Sequence, residues 1–523
     1  MISSHFVVVL PWVLLLQLYH LGSSTNNDIV PLFASAFQTN TIFPSLQASS
    51  SKRKLIPSSS SSPCTTIRTT KLKYSMNDAA TSNNVIDIRE GAPRDIASLN
   101  EWAVNIGIQT SDCFQLTTSS MKSSSSSGGG GKLEEEDVYA ITNQDLSQGS
   151  PILHIPHEAI LTSTKSRAEL SNNDATYSAE QTLLATTSYN RLPQFYLFLK
   201  ILKEYELGMD SLWYTWLNSL PRYYSNGASM TDFCYGCLPP FAAGLALEEK
   251  QQLKNFVVAL QEVGNFLSLE GRGDEELTRW AFAVVHTRYM TMPNGDHCIV
   301  PMADFFNHGG TETDVDISYD DEGNCYAYST NDIRHPNQPL RICYGDPTNP
   351  SYLLARYGFL DESSPATFCK IIVDNPSEEL VMLGYDHSRM LFYKDGGISQ
   401  EVWDVLLYQE LGKQVSGSSS GHPDDEQQQQ QQQEFYQAHV TGNEGLKQSY
   451  HETYFPQTLH VLRQHVDYLV NELDELGLGL EIQMDQGKDG IERHPRLPLL
   501  LRHNEFVRDT LENVQKNLDN MLY

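Results

Sequence analysis

Basic side chains are scarce in this sequence: 36 lysines and arginines stand against 65 aspartates and glutamates, a net charge of −29 over 523 residues. That balance argues against nucleic-acid binding, because neutralising a phosphate backbone needs a basic face. A solvated acidic surface, or a partner that presents lysine or arginine, fits it. Cysteine is also thin. Of eight cysteines only Cys234 and Cys237 are closely spaced, and no second pair completes a four-ligand site. No metal centre and no disulfide framework is therefore expected. Long apolar runs are missing too. Phe6 to Leu18 is too short to cross a bilayer comfortably, and nothing later reaches that length, so no membrane contact is expected of the mature chain.

What is present begins with an address. Phe6 to Leu18 has the length of a signal-peptide core, and Ala34-Ser35-Ala36 is a small-residue cleavage pattern followed by Phe37. From there to Ser75 the chain is rich in serine and threonine. It carries Lys52, Arg53, Lys54, Arg68, Lys71 and Lys73 with no acidic residue, which is transit-peptide composition. The expectation is a signal peptide over 1–36 and a transit peptide over 37–75. Ala34-Ser35-Ala36-Phe37 resembles the junction in proteins bound for secondary plastids, which implies the plastid stroma.

Beyond the address, Ile96 to Ile108 has apolar residues at helical spacing. Residues 117–132, with serine and glycine runs, are expected to be a disordered insert. Val138–Ile141 and Pro151–Ile155 read as strands flanking a turn at Gln148-Gly149-Ser150. Helices are predicted over Gln194–Tyr205, Leu247–Leu267 and Glu275–Tyr289. Short strands return at Cys298–Pro301, Asn324–Tyr328 and Pro339–Tyr344. A second disordered insert is expected over 414–435, where glutamine repeats. Near the end Val507, Leu511, Val514, Leu518 and Leu522 form one helical stripe.

The chemistry-bearing segments are Val300-Pro-Met-Ala-Asp304-Phe-Phe-Asn307-His308, then Cys343-Tyr344-Gly345 and Tyr357-Gly358-Phe359. Each residue taken singly has a plain structural reading. Tyr357 suits a buried aromatic whose hydroxyl finds a carbonyl. His308 suits a satisfied core histidine, Arg288 a charge at a helix end, and Asp304 a turn cap. In that order, however, they resemble the SET domain of protein methyltransferases. Asp210-Ser211-Leu-Trp213…Leu220-Pro221 and Arg279-Trp280-Ala-Phe282…Thr287-Arg288 are similar to the Rubisco large-subunit lysine methyltransferase subfamily.

The resemblance implies an α+β chain: a SET-domain β-fold with a pseudoknot and a helical insertion, followed by an all-α substrate-binding domain. The SET domain would span 94–362 with its insertion at 165–290, and the helical domain 363–523. S-adenosylmethionine is the implied cofactor, and a protein presenting a lysine, such as Rubisco large subunit or fructose-bisphosphate aldolase, the implied partner of a monomeric enzyme. Tyr357 matches the catalytic tyrosine; Tyr344, Asp304 and Arg288 match substrate-binding positions. Asn307, His308 and Arg288 match the cofactor site, with Glu134 and Glu136 standing where the family has a glycine turn. Gly309 replaces a serine that many members carry after Asn-His. A histidine-methylating branch of the subfamily lacks the tyrosine matching Tyr357 and places asparagine where Met290 stands, so lysine is favoured. An inactive peptide-binding module is the reading from outside the enzymes.

Overall fold

Among the described residues the strands are short and divide among five small sheets. In the computed structural model the described residues are 86–119, 137–170, 174–186, 188–263, 267–373, 375–416, 423–486 and 494–522. The expected signal and transit peptides, and Glu134 and Glu136, lie outside them.

In chain order the strands are β1 (Gln109–Thr110), β2 (Phe114–Ser119), β3 (Asp137–Thr142), β4 (Pro151–Ile155), β5 (Leu161–Thr162), β6 (Met290–Thr291), β7 (His297–Ile299), β8 (Asn307–His308), β9 (Val315–Tyr319), β10 (Cys325–Ser329), β11 (Gln338–Pro339), β12 (Arg341–Ile342), β13 (Ala366–Phe368) and β14 (Leu391–Tyr393). The widest sheet runs β1-β4-β10-β9, all antiparallel. Strand β10 alternates cleanly: Cys325, Ala327 and Ser329 face inward, Tyr326 and Tyr328 outward.

Two expectations about this region are corrected. β3 and β4 do not pair with each other across Gly149; β3 joins β2 and β11 in a second sheet. The backbone N–H of Gly149 donates to Ser329 and that of Ser329 to Ser150, which draws the start of β4 onto β10 instead. Residues 117–119, expected in the first insert, continue β2, with Leu116–Ser119 in register with Asp137–Ala140; the rest of that expected insert lies outside the described residues.

The helical insertion comprises α2 (Ser163–Leu170), α3 (Asp174–Leu184), α4 (Leu192–Leu207), α5 (Tyr214–Ser219), α6 (Asp232–Gly236), α7 (Pro240–Gln261), α8 (Leu269–Gly273) and α9 (Glu275–Arg288); α1 (Leu99–Asn105) precedes it. Its core is aromatic. Phe256 of α7 meets Phe195, Phe198 and Phe282 at 5.3, 5.6 and 5.4 Å between ring centres. Such rings bury large apolar areas and hold α4, α7 and α9 together. Helix α9 has complementary ends: the Asp274 side chain caps Leu277 N–H, Glu275 and Glu276 open it, and His286 and Arg288 close it. That termination delivers Arg288 to the site.

After β12 come α10 (Pro350–Tyr357), α11 (Glu378–Met382), α12 (Gln400–Ser416), α13 (Pro423–Val440), α14 (Glu444–Gln486) and α15 (Leu497–Met521). The C-terminal region is helical, with β13 and β14 as one antiparallel pair at its start. Residues 84–371 and 377–523 form one compact unit. The glutamine run corrects a further expectation: it lies within α13, not in a disordered insert. Glutamine is a good helix former, and Phe435 and Ala438 of the same helix are buried, which ties it to its neighbours. In α15 Val507, Leu511, Val514 and Leu518 are buried as the stripe requires, whereas Leu522 lies past the helix end and is exposed. No helix among the described residues is long and apolar enough to cross a membrane.

Candidate active site

The segment from β7 to β8 turns under strain. Met302 sits at φ 74°, a backbone region unfavourable to a side chain of its size. A short 3-10 turn over Ala303–Phe305 follows, and β8 emerges carrying Asn307 and His308. Val300, Met302, Ala303, Phe305 and Phe306 are all buried, so this apolar run anchors the turn.

β8 pairs in parallel with β12 alone. The N–H groups of Asn307 and Gly309 bond Leu340 and Ile342. Alternation along a strand therefore turns the N–H and C=O of His308 to the opposite edge, where no strand pairs among the described residues. Gly309 is required by space. A Cβ there would stand 2.3 Å from the Glu312 carbonyl oxygen and 2.9 Å from the Arg341 Cβ, so a serine in its place would force the backbone apart.

Helix α10 positions the second tyrosine. The Asn349 side chain caps Tyr352 N–H, Pro350 occupies the first turn, and Gly358 at φ 83° ends the helix with its N–H on Leu354. Tyr357 is the last helical residue. Gly358 also admits a close neighbour: a Cβ would lie 2.6 Å from Asn226 N. The Tyr357 hydroxyl donates to the Tyr344 carbonyl at 2.9 Å, and the Tyr344 hydroxyl donates to the Phe306 carbonyl. The rings of Tyr344, Tyr357 and Phe359 lie 5.1 to 6.1 Å apart, with His308 5.4 Å from Tyr344. Burial raises both phenols well above their usual range, with Arg356 opposing at Tyr357 and Arg288 at Tyr344. They stay protonated and act as hydrogen-bonding groups.

The structure thus brings Tyr344, Tyr357, Asn307 and His308 together, and it gives the His308 and Asp304 side chains partners within the protein. The His308 ring accepts the Tyr344 N–H at Nδ1, 3.2 Å, and faces Asp361 at 3.5 Å through Nε2. It is a bolt between segments, kept neutral by burial against the pull of Asp361. Asp304 lies in the interior. Its carboxylate is wholly buried, accepting from the Trp216 indole at 3.0 Å and from Arg288 at 2.9 Å. Burial raises its pKa, and Arg288 counters it. Arg288 bonds the Asp304 carbonyl with the same nitrogen. Tyr224 also faces this buried guanidinium, whose Nε meets no acceptor in good hydrogen-bond geometry among the described residues.

The sequence reading missed Asp361 and the role of Trp216. A buried indole must find an acceptor, so Trp216 carried a usable signal; Asp361 carried none. Asp137, at the start of β3, was missed as well and lies within electrostatic reach of Arg288 and Tyr344. Among the described residues no group of His, Cys, Asp and Glu could hold a metal ion.

The cofactor implied by the resemblance fits these residues. Among the described residues the backbone edge at His308 is left unpaired by any strand, and its N–H and C=O suit the charged ends of an amino-acid zwitterion.

Comparison with known proteins gives the fold. Rubisco LSMT bound to sinefungin and monomethyllysine superimposes with a TM-score of 0.52 at 14 % identity, covering 82 % of this chain and 92 % of that one. The LSMT SET domain bound to MeLysine and AdoHcy gives 0.51 at 16 % identity over the same shares. In sequence the chain is 23 % identical over 226 residues to mouse SET domain-containing protein 4, covering 39 % of this chain and 51 % of that protein. The human counterpart is 24 % identical over 183 residues, 32 % of this chain and 41 % of that protein. The chain therefore spans about half the length, or less, of the curated relatives it matches. No family model matches. The architecture is the SET fold of the LSMT structures, with a helical C-terminal region.

Proposed function

We propose that this SET-fold chain is a protein-lysine N-methyltransferase that uses S-adenosylmethionine. The observation that carries the reading is the placement of the Tyr357 phenol on the carbonyl of Tyr344, whose own hydroxyl bonds the Phe306 carbonyl just before β8. The cofactor, when bound, supplies an electrophilic methyl group. The chain's residues receive the lysine. A hydroxyl that has donated its proton to a carbonyl still offers lone pairs, and these can accept an amine N–H and so aim the nitrogen. A buried aromatic surround disfavours the ammonium form, lowering the lysine pKa from roughly 10.4. The His308 edge would hold the amino-acid end of the cofactor, and fixed geometry would lower the barrier by several kcal/mol.

The similar LSMT structures are described as bound to AdoMet, AdoHcy and methyllysine, which supports the choice of cofactor and target. We also propose that the chain works in the plastid stroma on a protein such as Rubisco large subunit or aldolase, on the strength of Ala34-Ser35-Ala36-Phe37 and the basic Ser/Thr-rich segment that follows. The SET domain at 94–362, the helical domain at 363–523 and a cofactor contact by Glu134 or Glu136 belong to the same proposal.

The test is calorimetric titration of S-adenosylmethionine into the chain from Ser75 onward, followed by labelled methyl transfer and amino-acid analysis of the product. Micromolar binding and methyllysine are expected. Methylhistidine would move the assignment to the histidine branch, and no binding by the folded protein to a peptide-binding module. Fusing residues 1–75 to a fluorescent protein tests the address.

A further inference from the structure

Arg356 precedes Tyr357 and is fully buried, its side chain 3 % exposed. It faces Glu249 of α7 at 3.6 Å, and Glu249 faces His286 of α9 at 3.2 Å. The guanidinium carbon lies 4.8 Å from the centre of the Tyr289 ring and 5.7 Å from that of Tyr357. His286 stacks on Phe282 at 3.8 Å. Burial works against the Glu249 carboxylate, yet His286 and Arg356 bring it down to about 2, so it is ionised. Burial takes His286 down to about 4 despite Glu249, so it is neutral. The pair that remains is a carboxylate and a guanidinium, with the positive end toward Tyr357. Tyr289 and Tyr352 also face Arg356, and Arg191 and Glu248 act on the cluster from further off.

Burying two charges costs several kcal/mol per ion, and apolar side chains of similar volume often serve stability as well. None of these residues is needed for the cofactor cradle. We infer that Arg356, anchored by Glu249, is a positioning residue: its fixed cation steers the Tyr357 ring and disfavours a charged lysine beside it. The inference rests on the methyltransferase reading above. Arginine suits the task because it cannot lose its proton, so the repulsion persists at every working pH. A like charge near the channel favours the neutral amine that the reaction needs.

The test uses the chain from Ser75 onward, with free L-lysine as probe because a similar SET structure is described with lysine bound. Arg356→Met, Arg356→Lys and the charge-free pair Arg356→Met with Glu249→Met are compared for S-adenosylmethionine Kd, Tm and the pH dependence of kcat. Arg356→Met should keep Kd within about twofold, lose about tenfold or more in kcat at neutral pH, and move the rising limb of kcat about one pH unit alkaline. Arg356→Lys should fall between. The double variant should recover Tm without recovering kcat, and it carries the test if Arg356→Met does not fold. A double variant that recovers both, or an unmoved limb in Arg356→Met, would overturn the inference and leave the enzyme reading standing. A native chain that makes no methyllysine would overturn that reading and this one with it.

Discussion

The phenol of Tyr357 donates to the backbone carbonyl of Tyr344 at 2.9 Å while their rings stand 5.1 Å apart. The last residue of α10 is therefore locked to the segment that leaves β12. Because Tyr344 reaches back to Phe306 through its own hydroxyl, three separate stretches of chain share one short relay.

Tyr357→Phe removes the relay's last hydroxyl and keeps its ring. Turnover should fall by about 100-fold or more, with S-adenosylmethionine affinity within about twofold, since the phenol is a group for the amine and not for the cofactor cradle. The folded state should lose only about 1 kcal/mol for the missing hydrogen bond. Calorimetry, denaturation and labelled methyl transfer check the three together.

Asp304→Ala acts elsewhere. It leaves the Arg288 guanidinium buried without its carboxylate, and loss of one partner from such a pair costs about 3–5 kcal/mol. Urea denaturation should show that loss. A variant with native stability and weakened lysine binding would instead support direct contact with the substrate.

Gly309→Ser tests the departure from the family pattern. With a Cβ placed 2.3 Å from the Glu312 oxygen, β8 must shift, and cofactor affinity should fall about tenfold, or 1.4 kcal/mol. Unchanged affinity would mean that the glycine is not needed for the cradle.

Asn307→Ala removes the side chain next to the free edge of β8. Weaker cofactor binding with unchanged Tm is the expected outcome of calorimetry and thermal denaturation, because Asn307 holds its strand partner through the backbone.

Acid should destabilise the fold through His503. Its ring is buried, with Nε2 2.9 Å from the Ser351 hydroxyl, and burial takes its pKa down to about 4 from 6.5. Between those values the unfolded ring binds a proton that the folded ring does not, so stability falls as pH falls through the window, by roughly 3 kcal/mol in all. His286, also near 4, acts in the same direction. His503→Gln should flatten the fall in denaturation midpoint between pH 7 and 5, and an unchanged slope would contradict the assignment.

The legible parts were those whose signal is local. Helix α9 was expected over Glu275–Tyr289 from its apolar spacing, and it ends at Arg288, one residue short of Tyr289. The strand Pro151–Ile155 was found to the residue, yet its partner was not, because register depends on which edge lies nearby in space. The glutamine run misled for the complementary reason: composition reported a tract poor in core residues, while Phe435 and Ala438, a turn or two beyond it, bury the same helix.

By itself the sequence determined the order of the chemistry: an apolar run into Asn307-His308, then Tyr344-Gly345, then Tyr357-Gly358. These are short-range facts of residue type and backbone preference. Only the tertiary structure decided what each side chain faces. Asp304 became an internal counter-ion because Trp216 and Arg288 arrive from distant helices, and His308 spent its ring on the fold because Tyr344 and Asp361 close on it. A buried charge or ring nitrogen is governed by its nearest partners, and those partners were separated along the chain by 16 to 88 residues.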